Sequence, residues 1–260
     1  MKKLFYSIGC TALCLILCRV SGTFIKELFS NSFQQDFAIQ LTFSLLAVIA
    51  LIVLKRTDVL KLSLKGVREG FSTISVLIVL YGIILLNFII NHDPITASVS
   101  EIILFVVQML LVGFSEEILF RGIVQNAVMD FTGRDTVISV RKGLIISGSI
   151  FGLVHLTNMF VPGISAGAAF VQAVSVIPVG IMFGTVYFRS RNNIWLCTLI
   201  HAMLDLTAFL NAGVLSGITE NSAINTFSAK NLISAVIPTA IVVCAMRKKK
   251  LEETIAAVRA

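Results

Sequence analysis

The chain has 260 residues, of which 57% are hydrophobic and 13% charged, with four prolines. Soluble domains average about 25% charged residues, and a mean hydropathy of +0.94 excludes a disordered chain, a collagen, a coiled coil and a secreted disulfide scaffold. The formal net charge of +7 comes from short basic clusters between apolar runs, a pattern of membrane loops and not of a nucleic-acid surface.

The apolar runs are long enough to cross a bilayer, which takes about 20 residues each. A spanning segment satisfies its backbone hydrogen bonds internally as a helix. In chain order the runs predict eight helices, at residues 4–20, 37–54, 71–90, 102–129, 143–161, 164–188, 194–210 and 232–246. The expected fold is an all-α polytopic membrane helix bundle of about eight transmembrane helices. It forms one integral membrane domain over residues 1–260, with a motif-bearing core at about 102–210. The segment after Lys2 and Lys3 reads as a span, since no convincing small-residue cleavage site follows it. Its Cys10, Cys14 and Cys18 share one helical face without the spacing of a zinc or disulfide framework. They are expected to behave as small buried hydrophobes.

Orientation follows from the basic residues. With both termini inside, 17 of the 21 Lys and Arg fall on the cytoplasmic side, including Lys55, Arg56, Arg134, Arg141, Arg189 and the run from Arg247 to Lys250. The outer loops keep Lys26 and Lys230. That bias supports an even number of spans in a plasma membrane. The run from Arg247 to Lys250 reads as a flank that stops translocation and is compatible with anionic membrane lipid.

Three spans carry ionisable residues: Glu116, Glu117 and Arg121 in the fourth, His155 in the fifth, and His201 and Asp205 in the seventh. Charged groups in hydrocarbon are costly unless paired or facing a wet cavity, so each marks a functional-site hypothesis. Glu117 and Arg121 are spaced i, i+4 with the acid first, the favourable order for an ion pair. Glu116 is turned about 100° away and is left to face something else. His201 and Asp205 form a second i, i+4 pair, and His155 stands alone. Faces contributed by three helices are how a site inside a bundle is built. Glycines four apart, at Gly148/Gly152, Gly163/Gly167 and Gly180/Gly184, predict close helix packing around the fifth and sixth spans.

These residues carry a resemblance. Glu116-Glu117-Ile-Leu-Phe-Arg121 is similar to the Glu-Glu-x-x-x-Arg signature of the CPBP intramembrane proteases, which include the CAAX prenyl endopeptidases and bacterial Abi proteins. Phe151-Gly-Leu-Val-His155 resembles their Phe-x-x-x-His motif, and His201-Ala-Met-Leu-Asp205 their His-x-x-x-Asn/Asp motif. The resemblance spans about a third of the chain. It implies an eight-helix membrane endopeptidase with Glu116, His155, His201 and Asp205 around a buried catalytic water, supported structurally by Glu117 and Arg121.

In that scheme Glu116 is the general base, His155 orients the water, and His201 donates to the oxyanion. Asp205 stands where relatives often carry Asn. An ionised carboxylate cannot donate to an oxyanion, so Asp205 must act in its neutral form, partner His201 or ligate a metal. The favoured arrangement uses no cofactor; the alternative binds zinc through His155, His201 and Asp205, with Glu116 as base. A cavity open toward the cytoplasmic leaflet is expected from the position of Arg121, while His155 lies nearer the outer end of the fifth span and leaves the depth of the site open. The compact loops and basic-inside pattern look bacterial, which favours a hydrophobic or lipidated peptide or a bacteriocin precursor as substrate. A non-enzymatic self-immunity or scaffold protein is the main rival. A proton-coupled transporter is disfavoured because the chain lacks repeated halves.

Overall fold

In the computed structural model, which describes residues 1–228, 232–233 and 235–259, no strand occurs among the described residues. The helices are α1 (Lys2–Leu28), α2 (Ser32–Val53), α3 (Val67–Asn91), α4 (Val99–Glu117), α5 (Asn126–Thr132), α6 (Val137–Val154) and α7 (Ala166–Arg189). They continue as α8 (Ile194–Asn211), α9 (Glu220–Asn225), α10 (Val236–Ala245) and α11 (Lys248–Arg259). A π-helical stretch, Ile118–Gln125, joins α4 to α5 into one 34-residue rod from Val99 to Thr132. Among the described residues seven helical segments are long and apolar enough to span a membrane, and α10 is a shorter apolar helix. The chain is an all-helical integral membrane protein.

Helix starts follow local chemistry. Ser98 caps α4 in a capping box with Glu101, while Asn31, Thr136, Ser165 and Asn193 cap α2, α6, α7 and α8 with side-chain acceptors. Each satisfies an amide that the first turn leaves without a partner. Gly133 ends α5 at φ 94, a conformation that costs glycine least.

α1 and α3 are peripheral, with 17% of their most apolar windows buried, against 50% for α8. Their outward Ile16, Leu17, Val79 and Ile83 are exposed and suit acyl chains, where apolar surface carries no penalty. The main core joins Leu51, Ile74, Ile118, Ile123, Phe183 and Ile200 across α2, α3, the π segment, α7 and α8.

Small residues set the central contacts. A Cβ on Gly148 or Gly152 would lie 2.5–2.8 Å from the backbone or side chain of Ile181 and Ile177 in α7, and one on Gly180 would meet the Gly148 carbonyl. Gly184 packs on Gln125. The expected approach of the fifth and sixth spans is therefore real. The Gly163/Gly167 step is different, because a Cβ at either position would meet nothing within 4 Å; the contact with α9 here is made by Ile164, Ala168 and Ala169 against Ile224.

Several boundaries shift. The first span is 27 residues long and the fifth begins at Val137, six residues earlier than its hydropathy suggests. Among the described residues the eighth is α-helical over Val236–Ala245, and Lys230 lies outside the described residues. The basic run after it is more than a flank: α11 docks Leu251 and Ile255 against Met129, Val140, Leu144 and Phe188. Arg141 clamps the turn before α11 by donating to the Met246 carbonyl.

Contacts between helix ends give the order of traverses. Arg56 pairs with Asp130, Arg189 donates to Thr73, and Arg141 reaches Met246. The ends of α2, α5, α7 and α10 thus share one basic end of the bundle. At the other end Thr96 and Ala97 donate to the Leu215 carbonyl, and Ser165 donates to Asn225.

Candidate active site

The site begins with Gly113. A Cβ there would sit 2.6 Å from the Thr198 carbonyl and 3.3 Å from His201 Cβ. Glycine therefore lets α4 approach α8 until the two acids one turn further along reach His201. His201 Nδ1 donates to Glu117 Oε1 at 2.8 Å. The other oxygen, Glu117 Oε2, faces Arg121 Nε at 3.1 Å. Glu117 is thus shared by two donors, and the expected ion pair with Arg121 is only half of its role.

With Nδ1 committed, the other ring nitrogen of His201 is the working one. His201 Nε2 lies 3.4 Å from Asp205 Oδ2 and 3.7 Å from Glu116 Oε2. Of the roles open to Asp205, the geometry matches that of a His201 partner. Glu117 is fully buried, whereas the Glu116 side chain keeps 24% exposure, enough to reach a mobile molecule.

His155 closes α6 and opens a 3-10 turn, His155–Phe160. Its Nδ1 donates to the Phe151 carbonyl at 3.0 Å; a carbonyl only accepts, so the proton is on Nδ1 and a neutral ring offers Nε2 as an acceptor. Arg19 of α1 steadies the turn from outside by donating to Thr157 and Asn158.

Aromatic rings organise the charges. Phe151 lies edge-on to His155 and to His201, and its face receives the Arg121 guanidinium at 4.4 Å. Arg121 is 1% exposed, and its Nε and Nη2 lack hydrogen-bond partners, so the ring face compensates in part for lost solvation. Phe183 of α7 stacks on His201 at 5.0 Å and 17°. In the sequence Phe151 belongs to a motif that does not reveal this role, and Phe183 looks like the other apolar positions of its span.

The π-helical stretch was equally hidden. It starts directly after Glu117 and carries Arg121. Wide turns of this kind cluster at functional sites.

Phe151, His155, His201 and Asp205 line a cavity of about 360 Å³ that continues along Val176, Leu204 and Ala208 to Ile224 and Phe227. It runs away from the basic end of the bundle, correcting the expectation of an opening beside Arg121. The physical reason is that Arg121 is sealed under Phe151 in the core, while α8 leads from His201 toward α9. Ala223, Ile224, Thr226 and Phe227, in a stretch without a recognisable motif, form part of the wall.

The start of α9 is tied down by an acid. Glu220 accepts from Gln108 Nε2 at 2.8 Å. Burial and then the nearby Asp36 carboxylate push it from an ordinary 4.5 up to about 8. The folded chain therefore holds a proton that the unfolded chain has released. Stability should fall as pH rises from about 4.5 through about 8. Melting of the wild type at pH 6 and pH 9 should differ by more than melting of Glu220→Gln; identical pH responses would refute the assignment.

Among the described residues no three His, Cys, Asp or Glu side chains form a group that could hold a metal ion. As placed, the set His155, His201 and Asp205 does not fit zinc.

Residues 98–207 match the family model of type II CAAX prenyl endopeptidase Rce1-like proteins. The similarity covers less than half of the chain. The matched segment starts at the Ser98 cap of α4, ends two residues past Asp205, and contains all six ionisable residues of the site. Helices α1 to α3 and α9 to α11 lie outside it. Comparison with curated proteins gave no significant match, and neither did comparison with solved structures.

Proposed function

We propose that the chain is an intramembrane endopeptidase that hydrolyses a peptide bond with a water activated by Glu116. The similarity of residues 98–207 to the Rce1-like family supports membrane endopeptidase activity in general. The observation that carries the finer reading is the division of the acids around His201. Glu117 takes Nδ1 and Arg121, whereas Glu116 and Asp205 face Nε2.

In this mechanism Glu116 removes a proton from the water while His155 Nε2 accepts the other hydrogen and aims the lone pair. The water oxygen adds to the scissile carbonyl, and His201, protonated on both nitrogens, donates Nε2–H to the oxyanion. A pre-placed donor of this kind contributes about 3–4 kcal/mol. The C–N bond then breaks, and Glu116 returns its proton to the departing amine. Asp205 holds the His201 ring, and Arg121 anchors Glu117. No step requires a metal.

The apolar walls of the cavity suit a hydrophobic or lipidated peptide segment, and a bacteriocin precursor in a bacterial plasma membrane is the substrate class we favour. Both termini are assigned to the cytoplasm on the basic asymmetry; reporter fusions at Arg134 and Asp93 should read inside and outside, and a reversed pair would overturn this orientation.

The test is cleavage of a panel of membrane peptides by the reconstituted protein. Asp205→Asn should retain most of the activity, because an Asn amide can also partner His201, and strong chelators should not inhibit. Loss of activity in that variant, with stoichiometric zinc in the purified wild type, would decide for a metal. No cleavage by the wild type of any peptide would favour the self-immunity or scaffold reading.

A further inference from the structure

At the basic end of the bundle, α1 and the end of α2 frame a groove of about 920 Å³, within the ~300–1,000 Å³ range of ligand pockets. We propose that this groove binds one anionic phospholipid. The proposal is independent of the protease reading, since none of the groove's residues belongs to the site around His201.

The groove has two chemically distinct halves. Its polar half carries Lys3, Lys55, Arg56 and a single acid, Asp130. Asp130 is already divided between two arginines, with one oxygen 2.9 Å from Arg56 Nη2 and the other 2.9 Å from Arg134 Nη2. Positive charge is therefore left over at the mouth. The backbone fixes part of it. Lys55 adopts a left-handed φ of 53 as α2 ends, and the Arg56 N–H donates back to the Leu51 carbonyl at 2.8 Å. This turn holds two consecutive basic residues beside the groove.

The other half is apolar and open. Leu13 and Val53 are 53% and 67% exposed, and a Cβ on Gly9 would have no neighbour within 4 Å. Phe5 and Tyr6 also line the groove. A free phosphate would use only the basic half, and a neutral lipid only the apolar half. A molecule with an anionic head and an acyl chain uses both. The cationic end also coincides with the ends of four traverses, the depth at which lipid headgroups lie. Basic residues near an anionic leaflet contribute about 1 kcal/mol each.

A reporter can be built into the groove because the chain has one tryptophan. The Trp195→Phe/Tyr6→Trp protein, reconstituted in phosphatidylcholine vesicles, is exposed to brominated phosphatidylglycerol or brominated phosphatidylcholine. Quenching should show a preference for the anionic lipid of at least about fivefold, equivalent to ~1 kcal/mol. Adding Lys3→Gln and Lys55→Asn should bring the two lipids to parity; Asn tolerates the left-handed backbone at position 55. Lys61→Gln with Lys65→Gln removes the same charge from exposed positions outside the groove and should preserve the preference. Equal quenching by both lipids in the reporter protein would overturn the proposal. So would equal loss of preference in the two double variants, which would mean a diffuse surface field.

Discussion

Glu116→Gln is expected to lower peptide cleavage by about 10²–10⁴-fold, the usual contribution of a positioned general base, while leaving the folded yield unchanged. The fold does not depend on this carboxylate. Its ion-pair contact is His201 Nε2 at 3.7 Å, outside hydrogen-bond range, and its side chain remains partly exposed. Glutamine has the same shape and keeps one acceptor oxygen, so the ring of His201 should stay in place on Glu117 and Phe183. What glutamine cannot do is take a proton from water. The measurement pairs initial cleavage rates in vesicles with thermal melting of the same preparations. Full activity in Glu116→Gln would refute the base assignment, and a large drop in melting temperature would show that this acid is structural after all.

The seven long spans were legible because hydrocarbon imposes a simple rule on length and polarity, and six ionisable residues stood out against that background. Spacing of i, i+4 also made legible that Glu117 pairs with Arg121 and that His201 shares a face with Asp205, whereas the contact of Glu117 with His201 Nδ1 appears only in the structure. Three further features were not legible. The π-helical stretch after Glu117 is packed chiefly by α1, α2 and α6, and Ile-Leu-Phe-Arg-Gly-Ile has no local mark of a wide turn. Gly113 is one of 17 glycines, and only the position of α8 reveals that it sets the distance to His201. The cavity wall beyond Asp205 comes from Ala223, Ile224 and Phe227, ordinary apolar residues that acquire a role when α9 packs against α7. The misplaced opening has the same origin. Arg121 lies toward the basic end in sequence, but its guanidinium is withdrawn under Phe151 instead of marking an aqueous mouth.

Glu117→Gln should have the opposite signature. Arg121 is almost fully buried, and Glu117 is the carboxylate paired with it in the core. Removing one member of a buried pair leaves an uncompensated charge, at a cost of about 3–5 kcal/mol. The cation–π contact with Phe151 cannot replace that loss, being worth about 2 kcal/mol at best and present already. The variant should therefore show a clearly lower melting temperature and yield. Adding Arg121→Met separates charge from shape. The double variant no longer buries an unpaired cation, methionine fills much of the same space, and the amide oxygen introduced at position 117 can still accept from His201 Nδ1. Stability should recover relative to Glu117→Gln alone, giving a favourable coupling between the two substitutions in a double-mutant cycle. Cleavage should recover less than stability, because an amide holds the His201 proton more weakly than a carboxylate does. Additive melting shifts across the cycle would sink the pairing argument, and wild-type cleavage in the double variant would remove Glu117 from the support of His201.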